Sequence, residues 1–340
     1  MMTSLNPVRT YSADIFVHEH VVVHDYSRPK QSDSPPSASI PTVVVSPLAL
    51  HDAALADLAP RYSLMEALQT NGIERLSLIE WISASAQSAN YTIDAQLQLL
   101  DQIVNHHGTK VNLIGLCQGG WLSLIYTALF PHKVRRLVMA GAPVDFHAHL
   151  PRFLRAAREM TQSLSWFGRS LAVDYWTNQW GLLAQPIVHG RDIRWLWPYD
   201  LERDWNIEEA LQISKSHPPE VQKQAINALK GWDERLLDLP APYFWQVVQW
   251  LYRDNRLAEG TLYALDRRVD LHAVICPIYL LAGENDRIVS VDQVLATIAL
   301  VGTPPDAITL SRAPCGHLAL FMGHQTLTHF WPPIAQWLHE

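Results

Sequence analysis

The sequence predicts an α/β fold, in which a mostly parallel β-sheet is flanked by helices and interrupted by a helical cap insertion. Three observations carry this prediction. Short β-branched apolar runs alternate with helix-periodic segments over residues 42–145. The alternation then stops for a Trp-rich, proline-broken stretch, and it resumes at residue 277. Continuous apolar strands that alternate with helices are typical of a parallel sheet covered on both faces.

The N-terminal region predicts one strand and an exposed loop. Residues 14–27, DIFVHEHVVVHDYS, alternate apolar and polar side chains, as a half-buried antiparallel strand does. Residues 28–41, RPKQSDSPPSASIP, are rich in proline and serine, which is typical of a loop. His18, His20 and His24 would share one face of the strand, but no cysteine or carboxylate set at ligand spacing joins them. We therefore expect a solvated strand face and no metal there.

Residues 42–145 contain four predicted strands and three predicted helices. The strands are TVVVS (42–46), RLSLIEW (75–81), KVNLIG (110–115) and RRLVMAG (135–141). The helices are residues 61–70, TIDAQLQLLDQIVNHH (92–107) and QGGWLSLIYTALF (118–130). Thr92 is placed to cap the second helix, and Pro131 ends the third.

The alternation returns in the C-terminal part of the chain. Its elements are the strand PIYLLAG (277–283), the helix VDQVLATIAL (291–300), the strand AITLSRA (307–313) and a last helix that ends in IAQWLHE. We therefore assign residues 1–145 and 266–340 to one α/β core and residues 146–265 to a helical cap. Nine of the thirteen tryptophans lie between Trp166 and Trp250, and we expect them to be large buried anchors of the cap.

Composition narrows the functional class. The chain has 340 residues, of which 48% are hydrophobic, and a net charge of -7. This length fits one large α/β domain with an insertion or two ordinary domains. The mild acidity and the lack of Lys/Arg runs disfavour a nucleic-acid partner. Neither a P-loop nor a G-x-G-x-x-G motif is present to hold nucleotide phosphates.

The cysteine count and the apolar runs suggest a cellular compartment. Three widely spaced cysteines do not indicate a disulfide framework, which favours a reducing, cytoplasmic setting. The N-terminus, MMTSLNPVRTYSADIF, lacks the pattern of a secretory signal. No apolar run reaches the roughly 18 residues that a transmembrane helix needs, so we expect no transmembrane segment.

Residues 111–121, VNLIGLCQGGW, contain the pattern Gly115-x-Cys117-x-Gly119. A nucleophile on a tight strand-to-helix turn has a strained backbone, and side chains at the flanking glycine positions would clash. The turn places the thiol at the N-terminus of the following helix, where the helix dipole favours a thiolate. It also aims the backbone N–H of Gln118 at a developing oxyanion. The alternative is a small cysteine buried at a strand end.

Asp286 and His317 are the candidate partners of Cys117. Asp286 follows a strand in LLAGENDRIV, and His317 follows the next strand in RAPCGHLALF. The order nucleophile, acid, histidine belongs to the nucleophile-turn architecture, and open α/β sheets build their sites at the carboxyl ends of strands. The alternatives are a turn-capping aspartate and one of sixteen histidines. We predict that the three side chains form a catalytic set, with Cys315 nearby as a packing residue.

Several ordered segments resemble the polyhydroxyalkanoate (PHA) synthase family, especially its short, two-subunit class. VNLIGLCQGGWLSLIYTALFPHKVRRLVMAGAPVDF resembles its nucleophile region, and PTVVVSPLALHDAALADLAPRYSLMEALQTNG resembles its oxyanion-loop segment. WDERLLDLPAPYFWQVVQWLYRDNRLAEG and VDLHAVICPIYLLAGENDRIV resemble the end of its cap and its acid strand. GHLALFMGHQTLTHFWPPIAQWL resembles its histidine loop and last helix. The resemblance covers about residues 40–340.

The resemblance implies an α/β-hydrolase fold and an acyltransferase that makes polyesters from (R)-3-hydroxyacyl-coenzyme A. Matched motif by motif, the nucleophile is Cys117, the acid is Asp286 and the base is His317. We expect oxyanion N–H groups from Gln118 and from Leu48, because Pro47 has no N–H to donate. No cofactor is implied, since the coenzyme A thioester is itself the substrate.

The same resemblance implies partners and a location. The candidate partners are the growing polyester chain, a second synthase subunit, a second copy of this chain and a polyester granule surface. The location implied is cytoplasmic and granule-associated. Some tryptophans of the cap would then line an apolar tunnel for acyl chains or face the granule.

The sequence also departs from the family pattern. Arg287 follows the acid where the family commonly has histidine, and WISA at residues 81–84 lacks a proline that the family has. Residues 146–230 match poorly. A cysteine-dependent hydrolase of polyesters or thioesters, such as an intracellular PHA depolymerase, therefore stays the alternative. A third hypothesis is a non-enzymatic granule protein, which would not need the intact set of three residues.

Overall fold

The computed structural model describes residues 11–28, 39–148, 185–194 and 204–340. The strands, in chain order, are β1 (Ala13–His18), β2 (Val21–Asp25), β3 (Thr42–Val45), β4 (Asp57–Ala59), β5 (Tyr62–Ser63), β6 (Leu76–Trp81), β7 (Val111–Leu116), β8 (Val134–Ala140), β9 (Ile187–Val188), β10 (Leu239–Pro240), β11 (Tyr263–Ala264), β12 (Arg267–Arg268), β13 (Ile278–Gly283) and β14 (Ile308–Ala313).

The helices of the same residues connect and cover these strands. They are α1 (Leu64–Thr70), α2 (Ile93–His106), α3 (Gln118–Leu129), α4 (Gly190–Ile193), α5 (Asp204–Leu211), α6 (Pro219–Glu234), α7 (Ala241–Gln246), α8 (Val291–Leu295), α9 (Thr297–Leu300), α10 (Ala319–Met322), α11 (His324–His329) and α12 (Trp331–His339). A π-helical segment, Val247–Arg253, continues α7, and short 3-10 turns lie at Ala53–Ala56, Leu271–Ala273 and Pro305–Ala307.

One eight-stranded sheet organises the core, in the order β1-β2-β6-β3-β7-β8-β13-β14. The six strands from β6 to β14 in this order pair in parallel, whereas β2 pairs with β6 and with β1 in antiparallel fashion. The predicted mostly parallel α/β sheet is confirmed. This order brings the carboxyl ends of β7, β13 and β14 to one edge of the sheet, where the predicted catalytic residues follow.

Helices cover both faces of the sheet because consecutive strand residues point in opposite directions. Val43 and Val45 of β3 pack into a core with residues of α2 and α3. Val44, between them, packs into a second core with residues of α1 and α12. The helix boundaries follow local signals: Thr92 caps α2 by accepting a hydrogen bond from the Ala95 N–H.

The single N-terminal strand that the alternation predicted is wrong. Residues 13–25 form a two-stranded hairpin, β1 and β2, with Glu19 and His20 in its turn. The predicted solvated histidine face is wrong for the same reason. His20 is fully buried, and His24 is buried with its Nδ1 2.7 Å from Asp14 Oδ1 and its Nε2 2.6 Å from Glu80 Oε2.

Smaller differences occur at helix boundaries. The predicted helix over 291–300 is divided into α8 and α9 at Ala296. The predicted helix over 61–70 begins at Leu64, because Ser63 caps it and Arg61 adopts a left-handed backbone with φ of 68°. Neither difference moves a strand.

The cap boundaries at residues 146 and 265 stay a prediction. Within that range the described elements are β9, α4 to α7, β10, the π-helical segment and β11. Trp166, Trp176, Trp180, Trp195 and Trp197 lie outside the described residues. Trp232 is buried, as expected for an anchor, and its ring stacks on His51 at 4.3 Å between centroids.

Among the described residues, no helix combines the length and the apolar character that crossing a membrane would require.

Candidate active site

Cys117 occupies the turn between β7 and α3. Its backbone φ of 51° and ψ of -117° lie outside the regions that non-glycine residues prefer. Two backbone hydrogen bonds maintain this conformation, from the Cys117 N–H to the Ala140 carbonyl at 2.9 Å and from the Gly120 N–H to the Cys117 carbonyl at 2.9 Å. Strained, well-held residues of this kind are concentrated at functional sites.

The glycines around Cys117 allow α3 to pack against the sheet. A Cβ atom on Gly119 would lie 2.0 Å from the Val45 carbonyl oxygen, and one on Gly115 would lie 2.4 Å from the Gly120 Cα. A Cβ atom on Gly120 would lie 2.2 Å from the Ala142 Cβ. Real Cβ atoms do not approach so closely, so the turn requires the G-x-C-x-G-G sequence at this position.

Asp286 follows β13, and both oxygens of its carboxylate accept hydrogen bonds. Oδ2 lies 2.6 Å from His317 Nδ1, and Oδ1 accepts hydrogen bonds from the Ile288 and Val289 N–H groups, both at 2.8 Å. Asp286 therefore does both things that the sequence offered as alternatives: one oxygen caps the turn, and the other binds the histidine. Since both oxygens are fixed, the carboxylate also fixes the orientation of the imidazole.

His317 lies between Asp286 and Cys117. Its side chain is 4% exposed, and it forms a hydrogen bond with the Cys117 side chain in addition to that with Asp286. Burial by itself lowers the pKa of His317, but the charges of Asp286 and Cys117 outweigh burial and raise the pKa to about 10. The site thus stabilises an imidazolium next to the sulfur, which is the state that follows removal of a thiol proton.

The two predicted oxyanion donors lie on neighbouring segments. Gln118 is the first residue of α3, so its N–H has no acceptor within the helix. Leu48 lies in the loop after β3 and is buried. The Tyr243 hydroxyl contacts both residues: its oxygen lies 2.9 Å from the Leu48 carbonyl oxygen and 3.0 Å from Gln118 Oε1, so its single proton is shared between these two acceptors.

Sequence reasoning missed two tyrosines near Cys117. Burial raises the pKa of Tyr243 well above its ordinary value, and the charges of Tyr252 and Cys117 raise it further. Removal of its hydroxyl from water, and then the charge of Cys117, also raise the pKa of Tyr252, although 42% of that residue is exposed. Both lie in the segment APYFWQVVQWLYR, whose spacing carries no chemical motif, so the signal that could identify them is the tertiary contact.

The remaining candidates have structural surroundings. Cys315 is buried, accepts a hydrogen bond from Thr326 Oγ1 at 3.6 Å, and has a pKa raised to about 11 by burial, as a packing residue would. Arg287 is largely exposed, and its Nη2 lies 4.0 Å from Glu209 Oε2 of α5. Among residues 11–28, 39–148, 185–194 and 204–340, no cluster of three potential ligands could hold a metal ion.

A protein-family model described as the alpha/beta hydrolase fold matches residues 79–323. Two solved structures are similar in fold. The monoacylglycerol lipase of Paleococcus ferrophilus has a TM-score of 0.51 and 15% identity, over 88% of this chain and 95% of that protein. An α/β fold family hydrolase from Bacillus anthracis has a TM-score of 0.51 and 13% identity, over 94% of this chain and 95% of that protein. The predicted α/β-hydrolase fold is confirmed.

Curated relatives are similar over most of the sequence. A protein of Allochromatium vinosum named poly(3-hydroxyalkanoate) polymerase subunit PhaC is 27% identical over 336 residues, 96% of this chain and 87% of the relative. A protein of the same name from Synechocystis is 27% identical over 307 residues, 88% of this chain and 78% of the relative. The resemblance that the sequence segments predicted is confirmed.

Proposed function

The chain belongs to the α/β-hydrolase fold family, and from that premise we propose that it is a PHA synthase-like acyltransferase. Its reaction transfers (R)-3-hydroxyacyl groups from coenzyme A thioesters to a growing polyester. The observation that carries the proposal is the similarity, over nearly the whole chain, to proteins named as poly(3-hydroxyalkanoate) polymerase subunits. The hydrogen-bonded arrangement of Cys117, His317 and Asp286 supports it chemically.

Acylation of Cys117 is the first proposed step. His317 Nε2 accepts the thiol proton while Asp286 holds Nδ1, and the thiolate attacks the thioester carbonyl carbon. The N–H groups of Gln118 and Leu48 receive the oxyanion. The bond to the coenzyme A sulfur then breaks, and that sulfur takes the proton from the imidazolium. One thioester replaces another, so the step is nearly balanced in energy.

Ester formation is the second proposed step. The hydroxyl of the next monomer or of the chain end attacks the acyl group on Cys117, and His317 accepts the hydroxyl proton. The new ester bond forms as the bond to the Cys117 sulfur breaks, and the proton returns to that sulfur. His317 therefore carries one proton in each step, first from the Cys117 thiol to the coenzyme A sulfur and then from the acceptor hydroxyl to the Cys117 sulfur. A site that favours the imidazolium assists both transfers.

The finer assignments belong to the same proposal. We propose that the enzyme needs no cofactor, that it works with a second synthase subunit or as a homodimer, and that it acts in the cytoplasm at a polyester granule surface. The word subunit in the names of the relatives supports the partner.

The test is incubation of the purified protein with (R)-3-hydroxybutyryl-coenzyme A, with released coenzyme A and product length both measured. We expect coenzyme A release together with ester-linked oligomers or polymer. Cys117→Ala should abolish both while the circular dichroism spectrum stays unchanged. Free 3-hydroxybutyrate in amounts equal to the released coenzyme A would instead identify the hydrolase, and no acyl transfer to Cys117 would refute both functions.

A further inference from the structure

The Tyr243 hydroxyl joins two segments that are far apart in the sequence. It contacts the Leu48 carbonyl in the loop after β3 at 2.9 Å, and Gln118 Oε1 at the start of α3 at 3.0 Å. These are the two residues whose N–H groups are assigned to the oxyanion. One side chain thus contacts both walls of the proposed oxyanion site.

Tyr243 is itself firmly held. Its side chain is buried, and its backbone N–H donates to the Tyr91 carbonyl at 3.1 Å, which ties α7 to the core. Burial, followed by the charges of Tyr252 and Cys117, raises the pKa of the phenol well above its ordinary value. The hydroxyl therefore keeps its proton at any pH at which the enzyme would be assayed, and it remains a hydrogen-bond donor.

Other described hydrogen bonds hold the loop after β3 on both sides of Leu48. Before it, the Ser46 hydroxyl donates to the Ile79 carbonyl at 2.6 Å, and Trp81 Nε1 donates to the Ser46 carbonyl at 3.0 Å. The Leu237 N–H donates to the Leu50 carbonyl at 2.8 Å, and Trp232 Nε1 donates to the Asp52 carbonyl at 3.1 Å. The two contacts beyond Leu48 fix residues 50–52 to the end of α6 and to the segment that follows it. Only the Tyr243 hydroxyl, among the contacts described, reaches Leu48 and the residue after the nucleophile at once.

We infer that Tyr243 is a positioning residue of the oxyanion site, an inference that rests on the proposed acyl transfer. Its hydroxyl fixes the Leu48 peptide relative to the N-terminus of α3, so that the N–H groups of Leu48 and Gln118 converge before substrate arrives. It acts through these two residues, because its single proton is shared between the Leu48 carbonyl oxygen and Gln118 Oε1 and is not directed at the substrate. Oxyanion donors act within a narrow range of distances, so loosening the loop lowers the rate of acylation.

The test compares two rates at Cys117 in the full-length protein. Acylation is followed as the first-turnover release of coenzyme A from (R)-3-hydroxybutyryl-coenzyme A, and thiol reactivity is followed as alkylation by iodoacetamide. Alkylation needs the thiolate but forms no oxyanion. For Tyr243→Phe we expect acylation to fall about 10- to 100-fold, in keeping with partial loss of an oxyanion donor, while alkylation stays within about twofold of wild type.

Tyr126→Phe is the matched control. Tyr126 is also buried and loses one hydrogen bond, to Asp101 Oδ1 at 2.8 Å, near the other end of α3. We expect it to leave both rates unchanged at a comparable cost in melting temperature. A Tyr243→Phe enzyme with wild-type acylation, or with acylation and alkylation reduced in parallel, would overturn the inference.

A chromogenic thioester or ester of butyrate separates this inference from the proposed function. If wild type does not react with the coenzyme A thioester, the proposed substrate is wrong, and the same pair of rates is measured with the chromogenic compound. Acylation of Cys117 by either compound forms the same kind of oxyanion, so Tyr243→Phe must still slow it. Equal rates there refute the role of Tyr243 alone.

Discussion

Two buried histidines in this protein contact carboxylates at nearly the same distance, and they differ in the partner of the second ring nitrogen. His317 Nδ1 lies 2.6 Å from Asp286 Oδ2, and the ring also forms a hydrogen bond with Cys117. His24 lies 2.7 Å from Asp14 Oδ1 through Nδ1 and 2.6 Å from Glu80 Oε2 through Nε2. A carboxylate therefore does not by itself make a histidine catalytic.

The second nitrogen decides what each histidine can do. His24 joins β1, β2 and β6 and is committed on both nitrogens to acidic side chains, so it has no position from which to accept a proton from a substrate or a nucleophile. His317 presents one nitrogen to an acid and the other to a thiol, and that asymmetry is what proton transfer requires. Variants at the two sites should accordingly separate activity from stability.

The largest expected effect comes from matched substitutions of the two aspartates. Asp286→Asn removes the charge that stabilises the imidazolium and controls the tautomer, so coenzyme A release should fall about 10²- to 10⁴-fold. Asp14→Asn, the same change beside His24, should leave activity within about twofold. Single-turnover rates per folded molecule measure both. Comparable losses in the two variants would contradict the distinction.

A second expected effect concerns stability at alkaline pH. Because the pKa of His317 is raised, its contribution to stability is complete below the ordinary value of 6.5 and is lost as the pH rises through about 10. The stability difference between wild type and Asp286→Asn should therefore be larger at pH 7 than at pH 9.5, by about 1 kcal/mol or more. Urea unfolding at both pH values measures it, and a constant difference would mean that His317 is not protonated in the folded state.

The smallest expected effect lies in the hairpin turn. Burial, with a further contribution from His18, lowers the pKa of His20 to about 4, and neither ring nitrogen has a hydrogen-bond partner among the described residues. As the pH falls from 6.5 toward 4, the unfolded chain binds a proton that the folded chain does not, and stability decreases.

Replacing His20 with phenylalanine removes this penalty. The ring contacts Tyr91 edge-on at 4.8 Å and lies 6.1 Å from Trp81, surroundings that accept an aromatic hydrocarbon. His20→Phe should therefore stabilise the protein by about 1–2 kcal/mol at pH 5 and by much less at pH 7.5. Thermal unfolding at the two pH values tests the prediction, and a pH-independent change would contradict it.

The sheet could be predicted well because each strand is marked by a short run of neighbouring residues in the sequence. Short apolar runs and glycines mark the strand-turn-helix at Cys117 and the strands before Asp286 and His317. The parallel strand order then brings these three positions to one edge of the sheet. The hairpin was missed because only a short polar run, HEH at residues 18–20, separates its two apolar runs IFV and VVV, and the prediction includes that run in one strand. Its turn contains no glycine, proline or asparagine to mark it.

The surroundings of Cys117 were less predictable for a different reason. Tyr243 contacts residues 195 and 125 positions earlier in the chain, and nothing in its own sequence neighbourhood distinguishes it from the other aromatic residues of that segment. Such a contact is specified by packing across the whole fold. The catalytic roles of Cys117, Asp286 and His317 stay predictions, although the structure brings their side chains into contact.

The close approach at Gly119 has a consequence for engineering. With its Cα against the Val45 carbonyl, no atom can be added between α3 and the strand that leads to Leu48. The turn that holds Cys117 thus tolerates no side chain larger than hydrogen at residues 115, 119 and 120. In a variant library aimed at new acyl chains, substitutions at these three positions would prevent folding. Diversity is better introduced at Tyr252, which is 42% exposed and lies in the π-helical segment, outside α3 and the sheet.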